Sequence, residues 1–260
     1  TEIGILDRSG PEMAALLPAR AALVEFGSGS TNKLRRLLRH LDKLAAYVPV
    51  DVSGEFLRSQ AEVLSGDFPH LRVEPVVADF TRDFDLPESL TSMPRAGFFP
   101  GSTIGNFEPS EAEELLRRFG RILGTGAHMI VGVDLVKDAA ILERAYDDAA
   151  GVTAAFNLNL LTRINRELAG RIDPGTFSHR AVFNTAASRS AMQLVSDDAQ
   201  EGGIGSETFP FAAGETIHTE SSYKYTIETF RALVERAGWT WIQVWTDPEG
   251  LFSVHALRQD

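Results

Sequence analysis

Three short stretches carry side chains that could hold a nucleoside cofactor. Glu25-Phe26-Gly27-Ser28-Gly29-Ser30 closes an apolar run at residues 21–26. Gly27, Ser28 and Gly29 let the backbone bend sharply and let a ligand lie against it, at the carboxyl end of a strand where open parallel sheets bind their ligands. Asp51 closes a second apolar run, 47–50, at the spacing of an acid that accepts both ribose hydroxyls. Asp79-Phe80 ends a third, where it could take an adenine amino group and stack on the ring. Each stretch also has a plainer reading: a tight strand-to-helix turn for the glycines, and a helix cap or Asx turn for each aspartate. Together, at the ends of three successive strands, they favour a cofactor. They do not by themselves separate a nicotinamide cofactor from S-adenosylmethionine. However, the pyrophosphate fingerprint needs a third glycine at position 32, where Asn32 stands, and no G-x-x-x-x-G-K-[ST] occurs.

These residues sit in a chain of 260, 43% hydrophobic and 23% charged, which is globular composition. The absence of cysteine excludes a disulfide scaffold, a thiolate zinc site and thiol catalysis. With 25 basic and 36 acidic residues, the formal charge is 25 − 36 = −11, so nucleic acid is not expected as a partner. No apolar run reaches the ~18 residues of a membrane span, and no signal-peptide pattern opens the chain, so a soluble cytoplasmic protein is expected, and it is taken to be a monomer. The histidines (His40, His70, His128, His179, His218 and His255) lack H-x-x-x-H spacing, and no metal is expected.

The elements that must position these residues alternate strand and helix. Strands are predicted at 21–26, 47–50, 71–77, 97–99 and 129–133, and helices at 33–46 and 53–64, the latter capped by Ser53. A further helix should start at a capping box, Ser110 to Glu113. This order implies βαβ crossovers and a doubly wound sheet. At the C-terminus, a helix at 227–236 precedes strands at 239–246 and 251–257 joined by Asp247-Pro248-Glu249-Gly250, too short a link for anything but an antiparallel hairpin. A mostly parallel sheet ending in such a hairpin is the habit of class I S-adenosylmethionine methyltransferases. Residues 1–135 and 226–260 are therefore assigned to the cofactor domain. Residues 136–225 are too long for a connection and are read as an inserted α+β subdomain above the sheet. Within it, helices are expected at 139–148 and 152–168, β-like pieces at 176–183, 191–195 and 215–219, and a flexible loop at Gly202, Gly203 and Gly205.

Seven stretches resemble the histidine-specific Nα-methyltransferases of ergothioneine biosynthesis. They are EFGSGSTNK (25–33), YVPVDVS (47–53), VVADF (76–80), PGSTIGN (100–106), DLVKD (134–138), AYDDAAGVTAAFN (145–157) and IHTESSYKY (217–225). The resemblance covers essentially the whole chain and implies conversion of L-histidine to hercynine by three methyl transfers from S-adenosylmethionine. It places the cofactor on Gly27, Lys33, Asp51, Asp79 and Phe80, beside Ser28 and Gly29 of the same loop. It places the amino acid on Asn106, Tyr146, Met192, Glu220 and Ser222; the residues around Met192 match only loosely.

The chemistry suits these residue types. Asn106 and Tyr146 can donate to a carboxylate without adding charge, Glu220 can accept from an imidazole N–H, and Ser222 can bond the other ring nitrogen. Plainer readings are a core tyrosine for Tyr146, a turn residue for Asn106 and a solvated face for Glu220. A neutral, aligned amine displaces the methyl from the sulfonium, so positioning should supply much of the acceleration. No residue is assigned as the base. Members of the wider group methylate other aromatic amino acids, including a prenylated tryptophan, which makes that the first alternative; the second is a cofactor-binding homologue without catalysis. The family carries a helical segment upstream of the point where Thr1 stands, and Ile3, Ile5 and Leu6 suggest an exposed apolar start. The expectation is a trimmed chain whose amino-acid site lacks one wall.

Overall fold

The computed structural model describes residues 1–260, which fall into two compact units, Thr1–Leu135 with Tyr225–Asp260, and Val136–Lys224. The chain opens with α1 (Glu2–Leu16), followed by β1 (Ala22–Phe26), α2 (Asn32–Leu38), β2 (Ala46–Asp51), α3 (Gly54–Asp67), β3 (Arg72–Val73), β4 (Val76–Val77), β5 (Arg95–Phe99), α4 (Pro109–Leu123) and β6 (His128–Asp134). The second unit holds α5 (Ala139–Tyr146), α6 (Val152–Glu167), β7 (Phe177–Asn184), β8 (Arg189–Ser196), β9 (Gln200–Ile204), β10 (Glu207–Phe211) and β11 (Thr216–Tyr223). The chain then completes the first unit with α7 (Ile227–Arg236), β12 (Trp239–Thr246) and β13 (Phe252–Gln259).

The sheet of the first unit runs β12-β13-β6-β5-β1-β2-β3, with β4 also on β2. Strands β1, β2, β5 and β6 are parallel to their neighbours in this set, while β13 runs antiparallel to β6 and β12 antiparallel to β13. β1 is buried along its whole length, which is why its sequence, Glu25 apart, is apolar without alternation. Phe26 stacks on Phe119 of α4 with centroids 3.8 Å apart, fixing the carboxyl end of β1 under α4. In the second unit β7, β8 and β11 form an antiparallel sheet, and α6 packs Leu161 with Ile172, Phe177 and Leu194 in a small core of its own. No helix is long and apolar enough to cross a membrane.

Several local expectations are corrected. Ile5 and Leu6 are fully buried in the core of their own unit on α1, rather than forming an exposed apolar start. Gly4, Gly10 and Pro11 weaken the helical signal of this segment, yet Gly10 lets the helix pass close to the His40 ring. The predicted helix at 33–46 ends at Leu38, because β2 must already be extended at Ala46 to pair with Ala22. The strand at 71–77 is two short pieces separated at Glu74-Pro75, where proline removes a ladder donor. The capping box of α4 uses Glu108 and Glu111, two residues earlier than predicted, with Pro109 in the first turn. Ser53 stands at the N-cap of α3 without a capping hydrogen bond from its hydroxyl. Gly202 and Gly203 lie in the β9–β10 hairpin rather than a flexible loop.

Candidate functional site

In the first unit the chain leaves β1 through a glycine turn. Gly27 has φ +74°, and its N–H donates to Val50 O at 2.9 Å, so the turn leaves β1 against the end of β2. A Cβ on Gly27 would come within 3.1 Å of the Phe80 ring, so this position needs glycine for conformation and for space. Around Gly29 a Cβ would meet nothing within 4 Å, leaving the backbone open to a ligand. Phe80 lies edge-on to Phe99 and Phe107, with centroids 5.7 and 6.4 Å away.

Ser28 faces inward. Its hydroxyl lies 3.0 Å from the Tyr47 hydroxyl, which in turn donates to Glu25. Burial pushes the Glu25 carboxyl up to about 7, against the opposing pull of the Tyr47 hydrogen bond, and burial also raises Tyr47. Any contact of Ser28 with a ligand therefore falls to its backbone. Lys33 Nζ lies 2.7 Å from Glu2 of α1, whose carboxylate also accepts from Gly101 N at 2.9 Å. A Cβ on Gly132 would collide with this carboxylate. Glu2 thus ties α1 to Lys33 and to the turn after β5. It was invisible in the sequence, because nothing local distinguishes it from a solvated first-turn acid.

Both aspartates make the turns of their plainer reading as well. Asp51 Oδ1 accepts from Ser53 N at 2.9 Å. Asp79 Oδ1 accepts from the Thr81 hydroxyl and N–H at 2.6 and 2.9 Å, and that hydroxyl holds its carboxyl below the usual range. A carboxylate has about four lone-pair positions, so an Asx turn leaves capacity for a ligand hydroxyl or amine. Asn106 ends a 3-10 turn, Thr103–Asn106, and is exposed.

In the second unit, Tyr146, Glu220, Ser222 and Met192 come together. Met192 on β8 pairs with Glu220 on β11, so the two side chains share a face, and Ser222 two residues on shares it too. A register shift between His218 and Glu220 sets this pairing, and Thr219 Oγ1 donates to Met192 O at 3.0 Å. Met192 and Ser222 are 4% exposed, and the loosely matched stretch around Met192 is strand. Glu220 is half-buried; burial raises its pKa and the Lys224 charge opposes that rise. Tyr146 Oη donates to Ser222 Oγ at 2.8 Å, and Lys224 Nζ donates to both, at 2.7 and 2.8 Å. Behind Tyr146, His179 Nε2 lies 2.8 Å from its backbone O, and Asn157 Nδ2 lies 2.9 Å from His179 Nδ1. Lys224 was not singled out from the sequence. The signal was present in the alternation Glu220, Ser222, Lys224, which puts the lysine two residues past Ser222 on the same side of an extended run.

No group of three or more histidine, aspartate or glutamate side chains is arranged to hold a metal ion. A cleft of about 660 Å³ lies between α1 and residues 39–44 and contains none of these residues.

The sequence profile described as "Histidine-specific methyltransferase, SAM-dependent" matches residues 1–259. The chain is 38% identical to a histidine N-alpha-methyltransferase of Mycolicibacterium smegmatis, over 98% of this chain and 80% of that protein. Identity is also 38% to the enzyme of the same name from Mycobacterium tuberculosis, over 97% and 79%. A 4-dimethylallyltryptophan N-methyltransferase of Aspergillus fumigatus is 28% identical over 99% and 80%. Among solved structures, an S-adenosylmethionine-dependent methyltransferase from Clostridium acetobutylicum superposes with a TM-score of 0.53 at 10% identity, covering 97% of this chain and 92% of that one. The CcbJ methyltransferase from Streptomyces caelestis gives 0.53 at 18%, covering 97% and 95%. The fold is that of the class I methyltransferases, and the chain belongs to the histidine-specific, S-adenosylmethionine-dependent methyltransferase family.

Proposed function

We infer that this chain methylates histidine with S-adenosylmethionine as donor, as a histidine Nα-methyltransferase of ergothioneine biosynthesis. The observation that carries the reading is 38% identity to a histidine N-alpha-methyltransferase along 98% of the chain. The acceptor is read as L-histidine and the product as hercynine, after three transfers to the α-amino group.

S-adenosylmethionine supplies a methyl group on a sulfonium sulfur. Gly27 and Gly29 are proposed to let the methionine part lie against the turn backbone, with Ser28 contributing main chain. Asp51 is proposed to accept from the ribose hydroxyls, Asp79 and Phe80 to hold the adenine, and Lys33 to support the loop. For the acceptor, Asn106 is proposed to donate to the carboxylate, with Tyr146 proposed as a second contact to it. Glu220 accepts from the ring N–H, Ser222 bonds the second ring nitrogen, and Met192 packs the ring from the shared strand face. The amine lone pair attacks the methyl carbon as the carbon–sulfur bond breaks toward sulfur. The amine must lose a proton before each attack, and no residue is assigned to take it. In this reading no metal takes part, and a single chain carries every proposed residue.

Incubation with labelled S-adenosylmethionine and histidine tests this. Mass analysis should show mono-, di- and trimethylated histidine, with tryptophan and its prenylated derivative unmodified. Cofactor binding without transfer to histidine would overturn the reading.

A further inference from the structure

The hydrogen bonds around Ser222 in the second unit carry a consequence for which ring can bind. A lysine ammonium only donates, and Lys224 Nζ donates to Tyr146 Oη at 2.7 Å and to Ser222 Oγ at 2.8 Å. Lys224 is 3% exposed, and its ammonium lies 4.7 Å from the centroid of the Tyr146 ring, so it is held by the cation–π contact as well. The single hydroxyl proton of Tyr146 goes to Ser222 Oγ at 2.8 Å. Ser222 Oγ therefore accepts twice, once from Lys224 and once from Tyr146. A hydroxyl has two lone pairs and one proton, so this proton is the group Ser222 has left to offer.

Resting on the reading of this face as the histidine site, we propose that Lys224 is a positioning residue that fixes Ser222 as a hydrogen-bond donor and so selects a neutral imidazole, one ring N–H on Glu220 and one unprotonated ring nitrogen on Ser222. Glu220 and Ser222 lie two residues apart on the same face of β11, as two groups reading opposite nitrogens of one ring must. An indole or pyrrole has the N–H for Glu220 but no lone-pair nitrogen for Ser222. A donor facing a carbon or a second N–H is left unpaired in a buried place, and sites built to make such a bond reject analogues lacking the partner strongly. An imidazolium is rejected for the same reason. Without Lys224, the Ser222 hydroxyl is free to rotate and accept, and the discrimination falls.

Two measurements test this. In the first, the wild-type protein is loaded with S-adenosylhomocysteine and ¹⁵N-labelled histidine and the ring nitrogens are followed by NMR. One pyrrole-type and one hydrogen-bonded pyridine-type nitrogen are expected at pH 6 to 8, whereas a bound imidazolium overturns the proposal. In the second, Lys224→Met should raise KM for histidine at least tenfold, change kcat little, and leave the S-adenosylhomocysteine affinity within twofold. Because Lys224 acts through Ser222, Lys224→Met combined with Ser222→Ala should be no worse than the more damaging single variant by more than twofold, a non-additivity that general destabilisation would not give. An unchanged KM in Lys224→Met, or additive losses, overturns the proposal. If Lys224→Met does not fold, the nitrogen shifts decide alone. Wild-type protein that methylates no histidine refutes the histidine reading itself, a result distinct from all of these.

Discussion

In the proposed function Glu220 reads the acceptor ring, and its half-buried position gives it a pH signature. Burial raises its pKa, so its charged form is lost at a higher pH than for an ordinary glutamate as solution is acidified. Histidine binding that depends on this charge is present above the raised pKa and fades as pH falls through it. Glu220→Gln should weaken histidine by about 1–3 kcal/mol, the scale of one charge-assisted hydrogen bond, and remove the share of the acid limb that this carboxylate contributes, leaving the share due to protonation of the histidine ring itself. Calorimetry showing unchanged affinity would remove Glu220 from the site. Asp51 makes an Asx turn, and in the proposed function it also accepts from the ribose. Asp51→Ala should lower nucleoside cofactor affinity at least tenfold while losing about 1 kcal/mol of stability with the turn. A thermal shift without a change in cofactor affinity would leave only the turn. Residue identity pointed at both carboxylates, but the partners each one keeps in the folded chain were decided by neighbours that local sequence does not name.

At the scale of elements, the turn from β1 into α2 bears the tightest constraint. Gly27 combines φ +74° with the approach of the Phe80 ring. Gly27→Ala should cost about 1–2 kcal/mol in backbone strain and displace Phe80, so cofactor affinity should fall by more than stability does. Parallel losses in a melting series and in cofactor titration would instead show a purely structural turn. Strand β1 was legible because a run buried on both faces is, Glu25 apart, apolar without alternation, and α7 because its apolar stripe and Gly238 bound it. The broken strand at Arg72–Val73 and Val76–Val77 was not, since pairing with two separate stretches of β2 is a tertiary matter. Helix α1 was missed for the converse reason. Its glycines and proline speak against a helix locally, and burial of Ile5, Leu6 and Met13 overrides them.

For the molecule as a whole, a fully buried carboxyl lies under the glycine turn after β1. Glu25 is fully buried with its carboxyl near 7 in place of 4.5, so the folded state favours the neutral form. A raised folded value means that this stabilisation is complete below about pH 4.5 and is lost as pH rises through about 7. Glu25→Gln should remove that slope and stabilise the protein above pH 7 by up to about 3 kcal/mol, with the Tyr47 hydroxyl still able to donate to the amide oxygen. Urea midpoints at pH 5 and pH 8 check it; parallel profiles for wild type and variant would show that Glu25 does not titrate in this range.

The sequence by itself determined the class of sheet, the antiparallel hairpin at its end, the glycine turn and the acids at the strand ends. These follow from chain-local periodicity and from residues whose conformational demands do not depend on distant partners. Tertiary structure alone decided that Ser28 turns inward to Tyr47 and Glu25, that Glu2 reaches Lys33 and Gly101 across nearly a hundred residues, and that Lys224 stands against Tyr146 and Ser222. A hydrogen bond is specified by where two groups meet. For groups far apart along the chain that meeting is set by packing, to which every residue of the core contributes a little and no single one enough to read.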